Sequence, residues 1–238
     1  AFILLVRQLT RQLTTSLNSA LSGVAEAITR VLIDLSPTSN GFYSLGSDFA
    51  PTGDYTLECD ILQDGGLGSQ NSVLFGSASG SATYIGTLSN GTIRFRVNNG
   101  TTGISIPAPF LNSTKLIKFK AVSVSDVVTL SLSGTIIATF TETRKPVIGV
   151  VGNYNLPSTF AVWGGILSDP RMLDDVTPAN SLEFKLDQLT ANTETNNGVT
   201  LTYQNIGTAN TIRDTYELSA DGTQLISDLR TIDIAAQA

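Results

Sequence analysis

The chain contains no histidine. Serine–histidine hydrolases, cysteine–histidine proteases and histidine-ligated zinc or iron are therefore excluded. A single cysteine, Cys59, allows no internal disulfide and no thiolate-held metal cluster. Charge is scarce as well: 14% of the 238 residues are charged, against about a quarter in an ordinary soluble domain. The charge present sums to −6 at pH 7, so nucleic acid and anionic membranes, which need a basic face, are not expected partners. No run approaches the ~18 consecutive apolar residues of a membrane span, and membrane insertion is not expected. The apolar start, residues 2–6, is too short for a secretory signal and lacks its basic flank and cleavage site. Synthesis in a cytoplasm without a cleavable export signal is the expectation.

What replaces the missing charge is Ser, Thr, Asn and Gly, a composition that suits a sheet protein with many turns. The chain is long enough to bury a full core. Two regimes are visible along it. Residues 2–35 hold no proline, and their apolar positions recur at spacings of four and three. That period predicts an amphipathic helix. From Leu17 the pattern is a heptad in which Leu17, Val24 and Val31 alternate with Leu21, Ile28 and Leu35. Such a seam serves either packing on the chain's own domain or self-association. Residues 36–41, Ser-Pro-Thr-Ser-Asn-Gly, would end the helix and act as a hinge.

Beyond the hinge the period becomes two. Leu57, Cys59 and Ile61 alternate with Glu58 and Asp60; Ile93, Phe95 and Val97 alternate with Arg94 and Arg96; Ile117, Phe119 and Ala121 alternate with Lys118 and Lys120. Val128, Leu130 and Leu132 pass through Ser133-Gly134 into Ile136, Ala138 and Phe140, a tight hairpin. Further strands are predicted at 72–76, 83–88, 147–151, 159–167, 181–186, 199–203, 211–218 and 224–226, with 190–198 a polar loop. Short strands separated by turn clusters predict a two-sheet antiparallel β-sandwich, and the absence of helices between them excludes a βαβ fold. The expected fold class is thus all-β, a jelly-roll sandwich preceded by one long helix. Its expected parts are the helix at 1–36, the sandwich at 37–176, and a β-rich extension at 177–238 that completes or caps it.

The hairpin at 115–140, followed by a Gly-rich strand and Phe160-Ala161-Val162-Trp163-Gly164-Gly165-Ile166-Leu167-Ser168-Asp169-Pro170, resembles the late strands of concanavalin A-like, laminin-G-like jelly rolls. The hairpin turn here is Ser-Gly where that family usually has Asn-Gly. Residues 180–186 and the Thr211-Ile212-Arg213-Asp214 stretch look like the tail that follows such modules in tailed-bacteriophage virion proteins. The resemblance spans residues 41–218. It implies a glycan- or protein-binding module, and in phages a non-enzymatic part of a fibre, spike or head decoration. Expected partners are then further copies of itself, a trimer above all, other virion proteins and cell-surface glycans, with the virion as location. The alternative is a carbohydrate-binding, lectin-like module; a glycosidase stands third.

Few residues could carry chemistry. Glu58 and Asp60 share a strand face, a pattern similar to the Glu-x-Asp strand of jelly-roll glucanases, whose final acid/base carboxylate is matched here by Gln63. An amide cannot exchange a proton near neutral pH, so the pair is read as solvated carboxylates and no enzyme is expected. No cofactor is expected. Calcium is the one candidate, among turn aspartates Asp48, Asp54, Asp64, Asp169, Asp174 and Asp175, with Asp174-Asp175 the best pair. Aromatic platforms for a sugar are Trp163, Tyr43, Tyr84, Tyr154 and Tyr203, with Trp163 also suited to core or inter-protomer packing. Tyr154 with Asn153 and Asn155 is the expected ligand contact, because amides suit sugar hydroxyls. Arg94 and Arg96 share a strand face and could hold an acidic sugar or a neighbour's carboxylate, or form a solvated edge. Cys59 is read as a buried, inert thiol.

Overall fold

The computed structural model describes residues 28–33, 41–63, 65–78, 83–98, 100–154, 163–185, 193–205, 212–218 and 225–233. Their regular structure is strand, apart from one 3-10 turn at Pro178–Asn180. In chain order the strands are β1 (Ile28–Ile33), β2 (Gly41–Phe49), β3 (Tyr55–Gln63), β4 (Ser72–Gly76), β5 (Thr83–Leu88), β6 (Thr92–Val97), β7 (Gly100–Ser105), β8 (Ile117–Val124), β9 (Val127–Leu132), β10 (Thr135–Thr141), β11 (Ile148–Val151), β12 (Gly165–Asp174), β13 (Leu182–Glu183), β14 (Thr193–Asn196), β15 (Val199–Asn205), β16 (Ile212–Leu218) and β17 (Leu225–Asp233). Every pairing among them is antiparallel.

Two sheets make the sandwich. One has six strands in the order β10-β9-β8-β3-β12-β13, the other eight in the order β14-β15-β2-β11-β4-β5-β6-β7. The chain crosses between them repeatedly: β2 lies in the larger sheet, β3 in the smaller, β4 to β7 in the larger, β8 to β10 in the smaller. Period-two alternation sends one set of side chains inward from each sheet. Leu57, Cys59, Ile61, Phe119, Leu130 and Met172 come from the smaller sheet and meet Phe75, Ile85, Ile93, Phe95, Ile148 and Leu201 from the larger. Phe75 and Phe119 touch across the interface with ring centroids 6.4 Å apart. Trp163 is wholly buried in this core and donates its indole N–H to the Ile166 carbonyl at 3.0 Å.

The β9–β10 hairpin turns at Ser133 and Gly134, with φ of 45° and 82°. Two positive φ angles are what a type I′ turn requires, and its twist matches the flanking strands. At Asp169 (φ 48°) and Pro170, β12 departs from its ladder with β3. Proline has no N–H to give a ladder, so the bulge is where it fits.

The expected N-terminal helix is overturned over its described residues, 28–33. Among the described residues no α-helix occurs, and Ile28–Ile33 is a strand paired in register with β16, Ile28 opposite Leu218 and Val31 opposite Thr215. Four of the six residues Ile-Thr-Arg-Val-Leu-Ile are β-branched, which costs helix and favours strand once a partner strand is available. Ile28 and Val31, placed on one helical seam by their spacing, both lie in this strand. Leu17, Leu21, Val24 and Leu35 lie outside the described residues. β1, β16 and β17 form a separate three-stranded sheet.

The polar loop expected over 190–198 also needs correction, because residues 193–196 are strand β14, hairpinned to β15. All four of its residues are polar, so no apolar alternation marks it. The extension that starts at 177 contributes β13 to the smaller sheet and β14 and β15 to the larger one.

Candidate ligand-binding face

β5, β6 and β7 close one edge of the larger sheet. Ile93, Phe95 and Val97 of β6 point into the core, so Arg94 and Arg96 project from the opposite face. The register puts Arg94 between Gly86 of β5 and Gly103 of β7, and Arg96 between Tyr84 and Thr101. The Arg94 guanidinium lies 5.4 Å from the centre of the Tyr84 ring. On the same ring stands Tyr154, edge-on at 5.4 Å and 64°. Tyr84 is buried, and its hydroxyl donates to the Thr87 carbonyl at 3.4 Å. Burial pushes its pKa up to about 12 against the opposing pull of Arg94, so it stays a neutral phenol at any physiological pH.

The two glycines beside Arg94 differ. A side chain at Gly86 would run into the Ser72 carbonyl, whereas one at Gly103 would meet nothing within 4 Å. Gly103 therefore leaves open space above β7. Exposed Thr101 and Ser105 lie on either side of it along β7, and half-exposed Arg94 stands across it. The face thus brings together an aromatic pair, a cation and hydroxyls. Of the expected contact residues, Tyr154 is half-buried and belongs to this cluster. Asn153 is fully buried, and its side-chain carbonyl accepts the Tyr154 N–H at 2.7 Å, so it orients Tyr154 from below. Asn155 lies outside the described residues. Tyr43 and Tyr203 pack edge-on against each other at 5.5 Å and are buried.

The carboxylate pair on β3 is held by neighbouring cations. Glu58 and Asp60 do share a face, but cross-strand cations occupy both. Lys120 Nζ lies 3.3 Å and Arg171 Nη1 3.2 Å from Glu58, and Lys118 Nζ lies 4.0 Å from Asp60. Glu58 is buried among these partners, not solvated as expected. Gln63 is a structural pin. Its Oε1 accepts the Gly68 N–H at 2.6 Å, and its Nε2 donates to Thr87 Oγ1 at 2.9 Å and to the Gln70 carbonyl at 3.2 Å. Gln63→Glu would set a buried carboxylate against the Gln70 carbonyl. We expect it to lower stability by about 1–3 kcal/mol, read by urea denaturation, without creating activity on β-glucans.

The aspartate pair is also occupied. Asp174 is buried, and its two oxygens accept from the N–H groups of Thr52 (3.0 Å), Val176 (3.1 Å) and Thr177 (2.8 Å), the Asn180 amide (3.2 Å) and the Thr52 hydroxyl (3.1 Å). Burial alone would raise its pKa; the donors from Thr177, Thr52 and Asn180 outweigh it and hold the carboxyl below its usual range. Asp175 accepts from the Thr56 hydroxyl at 3.1 Å. These donors engage both oxygens of Asp174 and one of Asp175, and a calcium ion would have to displace them. Among the described residues no group of three or more acidic or cysteine side chains converges on one point. Cys59 is fully buried, and burial pushes its thiol pKa well up, which suits an inert core position.

No family model matches the sequence, and no curated protein does. A solved structure from Bacteroides ovatus, of a candidate carbohydrate-binding protein, is similar in fold with a TM-score of 0.57. The shared fold is a two-sheet antiparallel β-sandwich. The likeness covers 84% of this chain and 62% of that one at 15% identity, so this chain spans less than two thirds of its neighbour's length. At that identity the likeness speaks to fold alone, and it gives no sign of a virus particle.

Proposed function

We propose that the chain is a non-enzymatic carbohydrate-binding module whose ligand lies on the β5–β7 face. The observation that carries the reading is Tyr154 standing on Tyr84 beside Arg94 and the open space at Gly103. Sugar recognition uses an apolar ring for the C–H face of a pyranose and nearby polar groups for its hydroxyls. The fold likeness to a candidate carbohydrate-binding protein supports the same reading. The occupied state of Glu58, Asp60 and Gln63 supports the absence of glycosidase chemistry. Self-association through a helical seam, one motive for a place in a virus particle, loses its support at Ile28–Ile33, the described end of that seam.

Tyr154→Ala tests the reading. We expect glycan affinity to fall about tenfold, measured by titration calorimetry on ligands picked from a glycan array. Because the ring also packs on Tyr84, the melting temperature should drop by only a few degrees, on the order of 1 kcal/mol. Unchanged affinity would remove Tyr154 from the site.

A further inference from the structure

The geometry points to an acidic saccharide as the ligand, with Arg94 reading a carboxylate or sulfate ester held over Gly103. This deepens the carbohydrate-binding reading and rests on it. Five other cations of the described residues already face carboxylates: Lys118 with Asp60, Lys120 with Glu58, Arg144 with Glu142, Lys145 with Asp126, and Arg171 with Glu58 and Glu183. Lys115 and Lys185 are exposed, and Arg96 has an interaction partner of its own. Arg94 differs from all of these. It is half-buried, its guanidinium rests on a neutral ring, and among the described residues no carboxylate answers it. Residues 155–162, which follow Tyr154, contain no Asp or Glu.

Both neighbours of Arg94 across the ladder are glycine, and the space above Gly103 is open. An anion can therefore reach the guanidinium from the β7 side, where its planar fork can give two parallel N–H bonds. The Tyr84 ring, on the β5 side, lies 5.4 Å from the guanidinium. Thr101 and Ser105, exposed on either side of Gly103, offer hydroxyls to the remainder of a sugar ring. The net charge of −6 does not forbid this, since charges farther than a Debye length of about 8 Å are screened at physiological salt.

The test is calorimetry on the full chain with tetragalacturonate and its carboxyl-reduced neutral counterpart, and with sulfated and unmodified dextran. At least one acidic probe should bind about tenfold or more tighter than its neutral partner, with the preference shrinking as salt rises. Preference confined to galacturonate identifies a carboxylate, and preference confined to sulfated dextran identifies a sulfate ester; either supports the proposal. Arg94→Gln should bring acidic and neutral probes within about twofold of each other. Gly103→Val should abolish binding with an unchanged or slightly higher melting temperature, because it fills open space on a strand. Equal affinity for acidic and neutral probes, or a preference that survives Arg94→Gln, would overturn the inference and leave carbohydrate binding standing. Binding to no glycan, on an array of neutral and acidic saccharides, would overturn both.

Discussion

Replacing Asp174 by alanine is expected to destabilise the fold by about 3 kcal/mol, a fall of about 6–12 °C in melting temperature for a domain of this size. The carboxylate gathers three segments: Thr52 before β3, the turn after β12 at Val176 and Thr177, and the 3-10 turn at Asn180. Removing it leaves the part-buried N–H groups of Thr52, Val176 and Thr177 without their acceptor, and each unmet donor carries part of its desolvation cost. The pH dependence has a definite sign. The folded-state pKa lies below the ordinary value, so Asp174 contributes its stability above an unfolded-state pKa of about 3.9, and that contribution is lost as pH falls through the lower folded value. The acid limb of the wild-type stability curve should thus be steeper below about pH 4 than that of the alanine variant. A chelator should leave the wild-type melting temperature unchanged, since the donors are protein groups. A chelator-induced drop that Asp174→Ala abolishes would show a bound cation instead.

Trp163→Ala should cost about 3–5 kcal/mol. The indole is the largest of the fully buried side chains, and its truncation leaves both a cavity between the sheets and the Ile166 carbonyl without its donor. Trp163→Phe keeps most of the volume and should cost nearer 1–2 kcal/mol. Trp163 is the sole tryptophan, so intrinsic fluorescence reports the wild-type core directly, and far-UV dichroism follows the variants. Near-wild-type stability of the alanine variant would mean that the ring is no part of the core.

Much of the sandwich is written in local pattern. The alternations at Leu57-Cys59-Ile61, Ile93-Phe95-Val97 and Ile117-Phe119-Ala121 each mark a strand with one face in the core, and the structure places all nine side chains there. Ser133-Gly134 marks its hairpin for a local steric reason. The failures have a common cause. Leucines and valines at four-three spacing satisfy a helix, yet Ile28–Ile33 satisfies a strand equally well, and the choice depends on β16, nearly two hundred residues downstream. β14 is invisible because an exposed edge strand needs no apolar face.

The site was legible in its parts and not in its assembly. Tyr84, Tyr154, Arg94 and Arg96 stand out as residue types, but the stacking of Tyr154 on Tyr84 joins segments separated by an excursion through the other sheet. Gly103 gives no sequence signal of its own. It becomes meaningful only through its register opposite Arg94. Conversely, Asp174 looks like a metal ligand in sequence because a buried turn hub and a calcium ligand use the same carboxylate; only the fold shows the protein donors gathered around it.

The most direct measurement is a map of backbone amide chemical shifts while a glycan chosen from an array is titrated into the chain. Carbohydrate binding on the β5–β7 face is expected to move the amides of Tyr84, Arg94, Thr101, Gly103, Ser105 and Tyr154 together along one saturation curve. Perturbations centred elsewhere, for instance on the cleft lined by Asp48, Asn180 and Asn197, with these six amides unmoved, would contradict it.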